Sequence, residues 1–393
     1  MLSIKLFPAE YGDCILLSIG KENKYNILID GGLSKTYQKY IKSEIDFMKK
    51  TKQKINLMVC THMDNDHIGG LIQVLKETSS GFVENIWYNG FLQVVDSRFY
   101  SQKPNGYTEG DNAILDEIIS QGIVSDVKQE IGINEGMSLG VLIEKHKIPL
   151  NSVVEGQAIC SELVKNRFEV APEVFITVLG PSQKTIVELE ETWKKDMISR
   201  NYVFRVCDKI KLTEAFEYQI ERIKSIYINE GLKISENDDL EKYIGELTDR
   251  DESISNKSSI SFILEYNGGK YLFLGDAVID SVVLENIENA VGYEYRFSAI
   301  KLPHHGSRYN ITHDFIKRYR ADEYYCLTNS AKYSHPDLEV LAAILCNDLK
   351  FKKLIFNYPI DKAYFLHKKE WEQKYNYELI IGDGTSIVER IFE

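Results

Sequence analysis

No segment of this chain stays apolar for long. The 393 residues contain no run approaching the roughly 18 needed to cross a bilayer, which argues against a membrane channel or anchor. Cysteine is sparse and scattered, at positions 14, 60, 160, 207, 326 and 346. No two are close enough for a C-x-x-C metal or redox site. Several lie in apolar runs, so buried free thiols in a reducing cytoplasm are expected. A basic excess is also missing: 47 Lys and Arg stand against 59 Asp and Glu, a net charge of −12. Proteins that grip long nucleic acid usually show a basic footprint, so non-specific binding of polymeric DNA is disfavoured. A local basic patch or a small nucleotide substrate stays open. There is no fixed-period repeat and no low-complexity tract. The first residues, Met1 to Phe7, alternate like a strand and carry no cleavable signal pattern, which again suggests a cytoplasmic protein.

What the chain does have is a dense set of metal-ligand residues in one loop, Thr61-His62-Met63-Asp64-Asn65-Asp66-His67-Ile68-Gly69-Gly70. Two histidines and two aspartates fall within six positions. Imidazole and carboxylate bind divalent transition metals, and such spacing lets one loop serve two ions. Ile55 to Cys60, just before, reads as a short buried strand. Gly69 to Leu75, just after, reads as a tight turn entering a helix. The ligands therefore sit beyond a strand's C-terminal end, where α/β proteins place their chemistry.

The pattern His62-x-Asp64-x-Asp66-His67 resembles the second motif of the metallo-β-lactamase superfamily, His-x-His-x-Asp-His, with Asp64 in place of the middle histidine. Further segments follow the same order. Phe7 to Leu17 and Tyr25 to Gly32 look like the first hairpin and the motif-one aspartate, Asp30. Tyr271 to Asp276 looks like the bridging-aspartate motif, and Ala299 to Ser307, with Pro303-His304-His305-Gly306-Ser307, like the final-histidine motif. That last form, together with Ile176 to Pro181, is typical of the branch holding the hydrolase domain of ComEC-type DNA-uptake proteins. The branch also holds many stand-alone bacterial hydrolases, some encoded with antiphage systems. The resemblance runs from about residue 1 to about residue 345. With no channel segment to accompany it, DNA uptake is not expected of this chain.

The resemblance implies an α/β fold, the four-layer αββα sandwich, as one domain over residues 1–393 with a helical insertion at about 182–250. It implies two divalent metal ions, zinc or manganese, or one tightly held ion. His62 and Asp64 would hold one ion and Asp66 and His67 the other, with Asp276 bridging and His304 completing the second site. His305 is the alternative to His304, because neighbours at a strand end point to opposite sides. Asp66 would also accept a proton from the attacking water, and Asp30 would orient ligands from behind. The family's third motif is a histidine, but between residues 70 and 270 the single histidine is His146, which reads as an exposed helix end. Asn256 fits the slot by position. Asp64 and Asn256 make the first site oxygen-rich, which shifts preference from zinc towards manganese, iron or magnesium.

Other residues near these motifs admit two readings. His335, before Pro336, either donates a proton to a leaving group or contacts phosphate, or is a surface turn residue. Lys301 reads as solvated or, failing that, as reaching an anionic substrate, Asp13 as turn chemistry, and Ser307 and Arg308 as either phosphate contacts or ordinary loop residues. His313 and His367 read as structural or surface residues.

Periodicity predicts helices around Tyr37–Lys50, Ala113–Gln121, Ser138–Lys147, Lys184–Ser199 and Thr213–Glu230, with a strand pair within 151–180. Asn237 to Leu240 and Asp249 to Ser253 read as acidic loops. Asn267-Gly268-Gly269 reads as a hairpin turn between strands. The long helical stretch is expected to lie over the site, or else to form a dimer face or scaffold. The function expected is a metal-dependent hydrolase of the phosphodiesterase or nuclease type, using metal-bound hydroxide on a phosphodiester or nucleotide. The alternatives are hydrolysis of a lactone or thioester, or a non-catalytic metal-binding module of a defence complex. Partners expected are a second copy of the chain or a defence-system protein.

Overall fold

The computed structural model describes residues 1–22, 24–101, 108–122, 137–164, 167–223, 239–247 and 250–393. Their strands are β1 (Leu2–Leu6), β2 (Ile15–Ile19), β3 (Tyr25–Ile29), β4 (Leu57–Val59), β5 (Ile86–Trp87), β6 (Phe168–Ala171), β7 (Val174–Gly180), β8 (Ser261–Tyr266), β9 (Gly269–Phe273), β10 (Tyr295–Lys301), β11 (Tyr319–Cys326), β12 (Lys352–Phe356), β13 (Tyr377–Ile381) and β14 (Val388–Phe392). They form a six-stranded sheet in the order β14-β1-β2-β3-β4-β5 and an eight-stranded sheet in the order β13-β12-β11-β10-β9-β8-β7-β6. Strands β3, β4 and β5 run parallel, as do β9 through β13. The C-terminal strand β14 closes the first sheet antiparallel to β1.

Alternation along the strands divides the apolar side chains among three layers of packing. Ile27 and Ile29 of β3 and Leu57 and Val59 of β4 face the second sheet, where they meet Phe262 and Leu264 of β8 and Phe273 of β9. Leu28 and Met58 point the other way, into a helical layer. On the second sheet Ile263, Leu272 and Ile300 likewise face an outer layer of helices, with Leu338–Asn347 among them. Each sheet is thus covered on both faces, which is why its strands read as nearly continuous apolar runs. The result is the expected four-layer αββα sandwich. Fully burying one such side chain contributes about 1.5–3 kcal/mol.

The helices follow the periodicity with small differences. The first runs Ser34–Thr36, through a π-type turn at Tyr37–Ile41, into Lys42–Lys50. Others span Glu109–Gly122, Leu139–His146 with Ser138 as cap, and Gln183–Ser199 with Ser182 as cap. The helix expected over Thr213–Glu230 is Lys209–Arg222, and residues 224–230 of that expectation lie outside the described residues, as do Asn237, Asp238 and Asp249. Gln183–Ser199 and Lys209–Arg222 bury Trp193, Met197, Phe216 and Ile220 in the layer outside the first sheet. Their described residues add to that layer rather than line the cleft described below. Asn267 and Gly268 both adopt positive φ, 49° and 77°, as a two-residue hairpin turn requires. All six cysteines are free. No helix among the described residues is long and apolar enough to cross a membrane.

One local expectation is overturned. Gly69 and Gly70 are not a turn before a helix; they lie inside the helix Asn65–Glu77, which starts directly after Asp64. Their role is close approach. A Cβ on Gly70 would sit 1.9 Å from the carbonyl oxygen of Gly31, and Gly70 N donates to Gly32 O at 2.9 Å. Gly31 N donates in turn to His67 O at 2.7 Å. The helix is thereby clamped against the turn after β3, and its first residues, Asp66 and His67, are fixed in space. Gly70→Ala forces backbone apart and should cost about 1–3 kcal/mol or more. Gly110→Ala, with nothing within 4 Å of the new Cβ, should cost nothing measurable. Urea unfolding of the two variants checks this contrast.

Candidate metal centre

The parallel strands β3, β4, β9, β10 and β11 all end at one edge of the sandwich, and the chemistry-bearing residues cluster there. Asp30 follows β3 and is fully buried with φ of 53°. Its Oδ1 accepts from Thr61 N at 2.8 Å and its Oδ2 from Thr61 Oγ1 at 2.7 Å. The same Oδ2 lies 2.9 Å from His67 Nδ1. This fixes the His67 ring with Nδ1 towards the carboxylate and Nε2 towards Asp276 Oδ2, 3.4 Å away. His62 is anchored similarly, its Nδ1 3.0 Å from Thr61 Oγ1 and 3.3 Å from Ser259 Oγ. Its Nε2 stands 3.8 Å from Asp64 Oδ2, and Asp64 Oδ1 accepts from Ser255 Oγ at 2.7 Å.

Asp276 follows β9 and is the point of convergence. Its Oδ2 lies 3.4 Å from His67 Nε2, 3.7 Å from His304 Nε2 and 3.9 Å from His305 Nε2. Neighbouring histidines were expected to face opposite sides, but both turn inward. The reason is backbone conformation: His304, His305 and Gly306 have φ of 44°, 58° and 90°, so the chain coils instead of extending. Left-handed conformations at non-glycine residues cost of order 1–3 kcal/mol each and gather at functional sites. Asn310 Oδ1 lies 3.0 Å from His304 Nδ1, and Asp13 Oδ1 lies 3.4 Å from His305 Nδ1. The donor atoms of Asp66, His67 and His305 lie within 4.8 Å of one another, as do those of His62, His67 and Asp276. His305, rather than the preferred His304, therefore makes the tight group with Asp66 and His67.

The donor set fits divalent cations. His62 Nε2, His67 Nε2, Asp276 Oδ1 and both nitrogens of His305 are buried without a hydrogen-bond partner. Buried polar atoms left unpaired are costly. Two of them, His67 Nε2 and His305 Nε2, turn to Asp276 Oδ2, as the inner surface of a metal site requires, whereas Asp276 Oδ1 faces Lys301 and His305 Nδ1 faces Asp13. The charges say the same. Burial alone would lower the His67 pKa, but Asp276 and Asp30 outweigh it and raise it well above the usual value. Burial would raise that of Asp276, but His67, His304 and His305 pull it far below the carboxylate range. His62 is pushed down by burial and by His67, so it is a neutral imidazole with an available Nε2.

Three sequence readings change. Lys301 is not solvated but 1% exposed; it ion-pairs with Asp13, donates to Gly275 O at 2.9 Å and lies 3.6 Å from Asp276 Oδ1. Asp13, also 1% exposed, is a charged partner inside the site and not turn chemistry alone. Asp251, read only as part of an acidic loop, is buried in the site. It accepts from Asn256 Nδ2 at 2.5 Å, from Ser253 N at 2.8 Å and from Asn310 Nδ2 at 3.3 Å. The local sequence signal was Ser253, which caps the helix Ile254–Lys257 and brings Asp251 and Asn256 together. Asn256 thus commits its amide nitrogen to Asp251 and lines the cleft described next.

A cleft of about 300 Å³ opens over these groups. Asp64, Asp66, Asp276, Asn256 and His304 form its floor, and Tyr309, Lys332, Tyr333 and His335 are among its walls. His335 is 5% exposed, not a surface residue, with Nδ1 3.3 Å from Asp337 Oδ2 and its ring 4.9 Å from that of His304. Burial pushes its pKa down to about 4. Ser307 lines the cleft, whereas Arg308 turns to Glu339 at 3.2 Å. His146 ends its helix away from the lining, His313 pairs with Gly245 O at 2.8 Å, and His367 with Glu372 at 2.6 Å.

Residues 8–81 match the model of the Metallo-beta-lactamase superfamily, whose members are generally hydrolytic metalloenzymes. That segment holds Asp13, Asp30, His62, Asp64, Asp66 and His67; Asp276, His304 and His305 lie beyond it. No curated protein matches the chain. Similar solved structures include zinc-bound PqqB from Methylobacterium extorquens, at 8% identity, covering 96% of this chain and 87% of that one, with a TM-score of 0.37. Another is the metallo-β-lactamase-fold protein YhfI from Bacillus subtilis, at 9% identity, covering 99% of each chain, with a TM-score of 0.36.

Saturating Mn²⁺ or Zn²⁺ should raise the unfolding temperature, since an ion at 100 times its Kd adds about 2.7 kcal/mol. Asp30→Ala, which frees the His67 ring, should weaken ion binding about 10–100-fold. Calorimetric titration with metal checks both expectations.

Proposed function

We propose that the chain is a metal-dependent hydrolase that cleaves small phosphodiesters in this cleft. The observation that carries the reading is that the unpaired buried imidazole nitrogens His67 Nε2 and His305 Nε2 both turn to Asp276 Oδ2. In this reading His62, Asp64, Asn256 and Asp276 would hold one cation. Asp66, His67 and His305, with Asp276, would hold a second. Bound cations supply Lewis acidity that neutralises phosphate oxygens and acidifies the attacking water.

The chain's own residues do the rest. Asp66, 5% exposed at the cleft floor, takes the proton released by the attacking water. His335, neutral near pH 7, serves as a hydrogen-bond partner for the substrate and not as a cationic acid. Lys332 supplies a positive charge on the wall, its ammonium 4.8 Å from the Tyr333 ring centre and 4.7 Å from that of Tyr11. Tyr333 and Tyr309 line the cleft, where an aromatic group such as a nucleobase would pack against them. One lysine in a cleft of four aspartates, on a chain of net charge −12, favours a nucleotide-sized substrate over a polymer. The oxygen-rich first site favours Mn²⁺ over Zn²⁺. A defence-system partner or a second copy of the chain would act on this same activity.

Metal-stripped protein should hydrolyse bis(p-nitrophenyl) phosphate only after a cation is restored, faster with Mn²⁺ than with Zn²⁺. Asp276→Asn should lower turnover at least 100-fold with the fold intact by circular dichroism. Stoichiometric metal binding without turnover would contradict the phosphodiesterase reading. Cleavage of a lactone or thioester instead would shift the substrate class.

A further inference from the structure

Lys301 is a buried ammonium inside the site that the proposed reaction does not use. Lys301 ends β10 on the side facing between the two sheets, since Ala299 packs inward and Ile300 outward. An isolated ammonium there is strongly disfavoured. It is held by three groups from both sheets. Asp13, between β1 and β2, ion-pairs with it from the first sheet. Gly275 O accepts from it at 2.9 Å, and Asp276 Oδ1 lies 3.6 Å away, both beyond the end of β9. The same Gly275 carbonyl accepts from His304 N at 3.1 Å. Asp13 in turn reaches His305 Nδ1 at 3.4 Å, and its backbone oxygen accepts from Gly32 N at 2.7 Å.

We propose that Lys301 and Asp13 are a positioning pair, which sets the carboxylate plane of Asp276 and the ring of His305 for cation binding. The proposal rests on the metal reading above. Lys301 occupies the Oδ1 side of Asp276, so Oδ2 is the oxygen turned to the histidines. Asp13 sits behind His305 as Asp30 sits behind His67, and such partners orient an imidazole and favour one tautomer. The pair also joins the two sheets at the point where ligands from both must meet.

Electrostatics and positioning predict opposite signs for one substitution. Lys301→Met removes a positive charge 3.6 Å from Asp276, which by charge alone should tighten binding of a dication. A positioning role predicts the reverse, at least 10-fold weaker binding. The double variant Lys301→Met with Asp13→Leu leaves net charge unchanged and replaces the buried pair by apolar groups, a change that stability often tolerates. It too should bind at least 10-fold more weakly.

The experiment is calorimetric titration of metal-stripped full-length protein with Mn²⁺ alone, with unfolding followed in chelator to verify the fold. Asp13→Asn, nearly isosteric, is the third arm if the apolar pair does not fold; it should weaken binding as well. A folded variant of any arm that binds Mn²⁺ as tightly as the wild type overturns the positioning role. A wild-type protein that binds no Mn²⁺ or Zn²⁺ overturns the metal reading itself, so the two failures are distinguishable.

Discussion

Six aspartates, Asp13, Asp30, Asp64, Asp66, Asp251 and Asp276, are buried at one edge of the sandwich. Isolated buried carboxylates are expensive unless paired or coordinated. Lys301 balances part of this charge, and protonated histidine would balance a little more. The remaining imbalance is what a bound cation would offset, and several contacts keep these groups assembled. The Gly31–Gly70 contact presses the ligand-bearing helix against β3. Thr61 ties Asp30 to the end of β4. The positive-φ run at His304 to Gly306 turns two imidazoles inward.

The two sheets make this possible because they contribute different groups of the site. The first supplies Asp13, Asp30, His62, Asp64, Asp66 and His67 from the ends of its strands and the turns between them. The second supplies Asp276, His304 and His305 from β9 and β10. Neither set alone encloses the site. The packing of Phe262 and Phe273 against Ile29 and Val59 therefore has a functional consequence, because it fixes the distance across which Asp276 reaches His67.

Much of this was legible in the residues. Four ligand-type side chains within His62 to His67 declare themselves without tertiary information, and Asp276 follows a strand pattern into a Gly-Asp end. The four layers came from the resemblance of these motifs to the metallo-β-lactamase superfamily, which the two packed sheets and their helical layers bear out. What stayed hidden depends on packing. Lys301 looks solvated in sequence because burial of a lysine depends on Asp13, almost 300 positions away. Asp251 looks like an ordinary loop acid until Asn310 and Asn256 close on it. Gly69-Gly70 looks like a turn because glycine pairs usually are, and only the neighbouring Gly31 backbone explains them inside a helix. The choice between His304 and His305 turns on three successive positive φ angles, for which Gly306 is the one local cue.

The account stands on Asp276 being the carboxylate shared by two cations. Anomalous diffraction at the manganese edge from crystals soaked in Mn²⁺ tests it most directly. Two peaks about 3.5–4 Å apart, one beside His62 and Asp64 and the other beside His67 and His305, with Asp276 between them, are predicted. A single peak away from Asp276, or no peak in the cleft at saturating Mn²⁺, would contradict it.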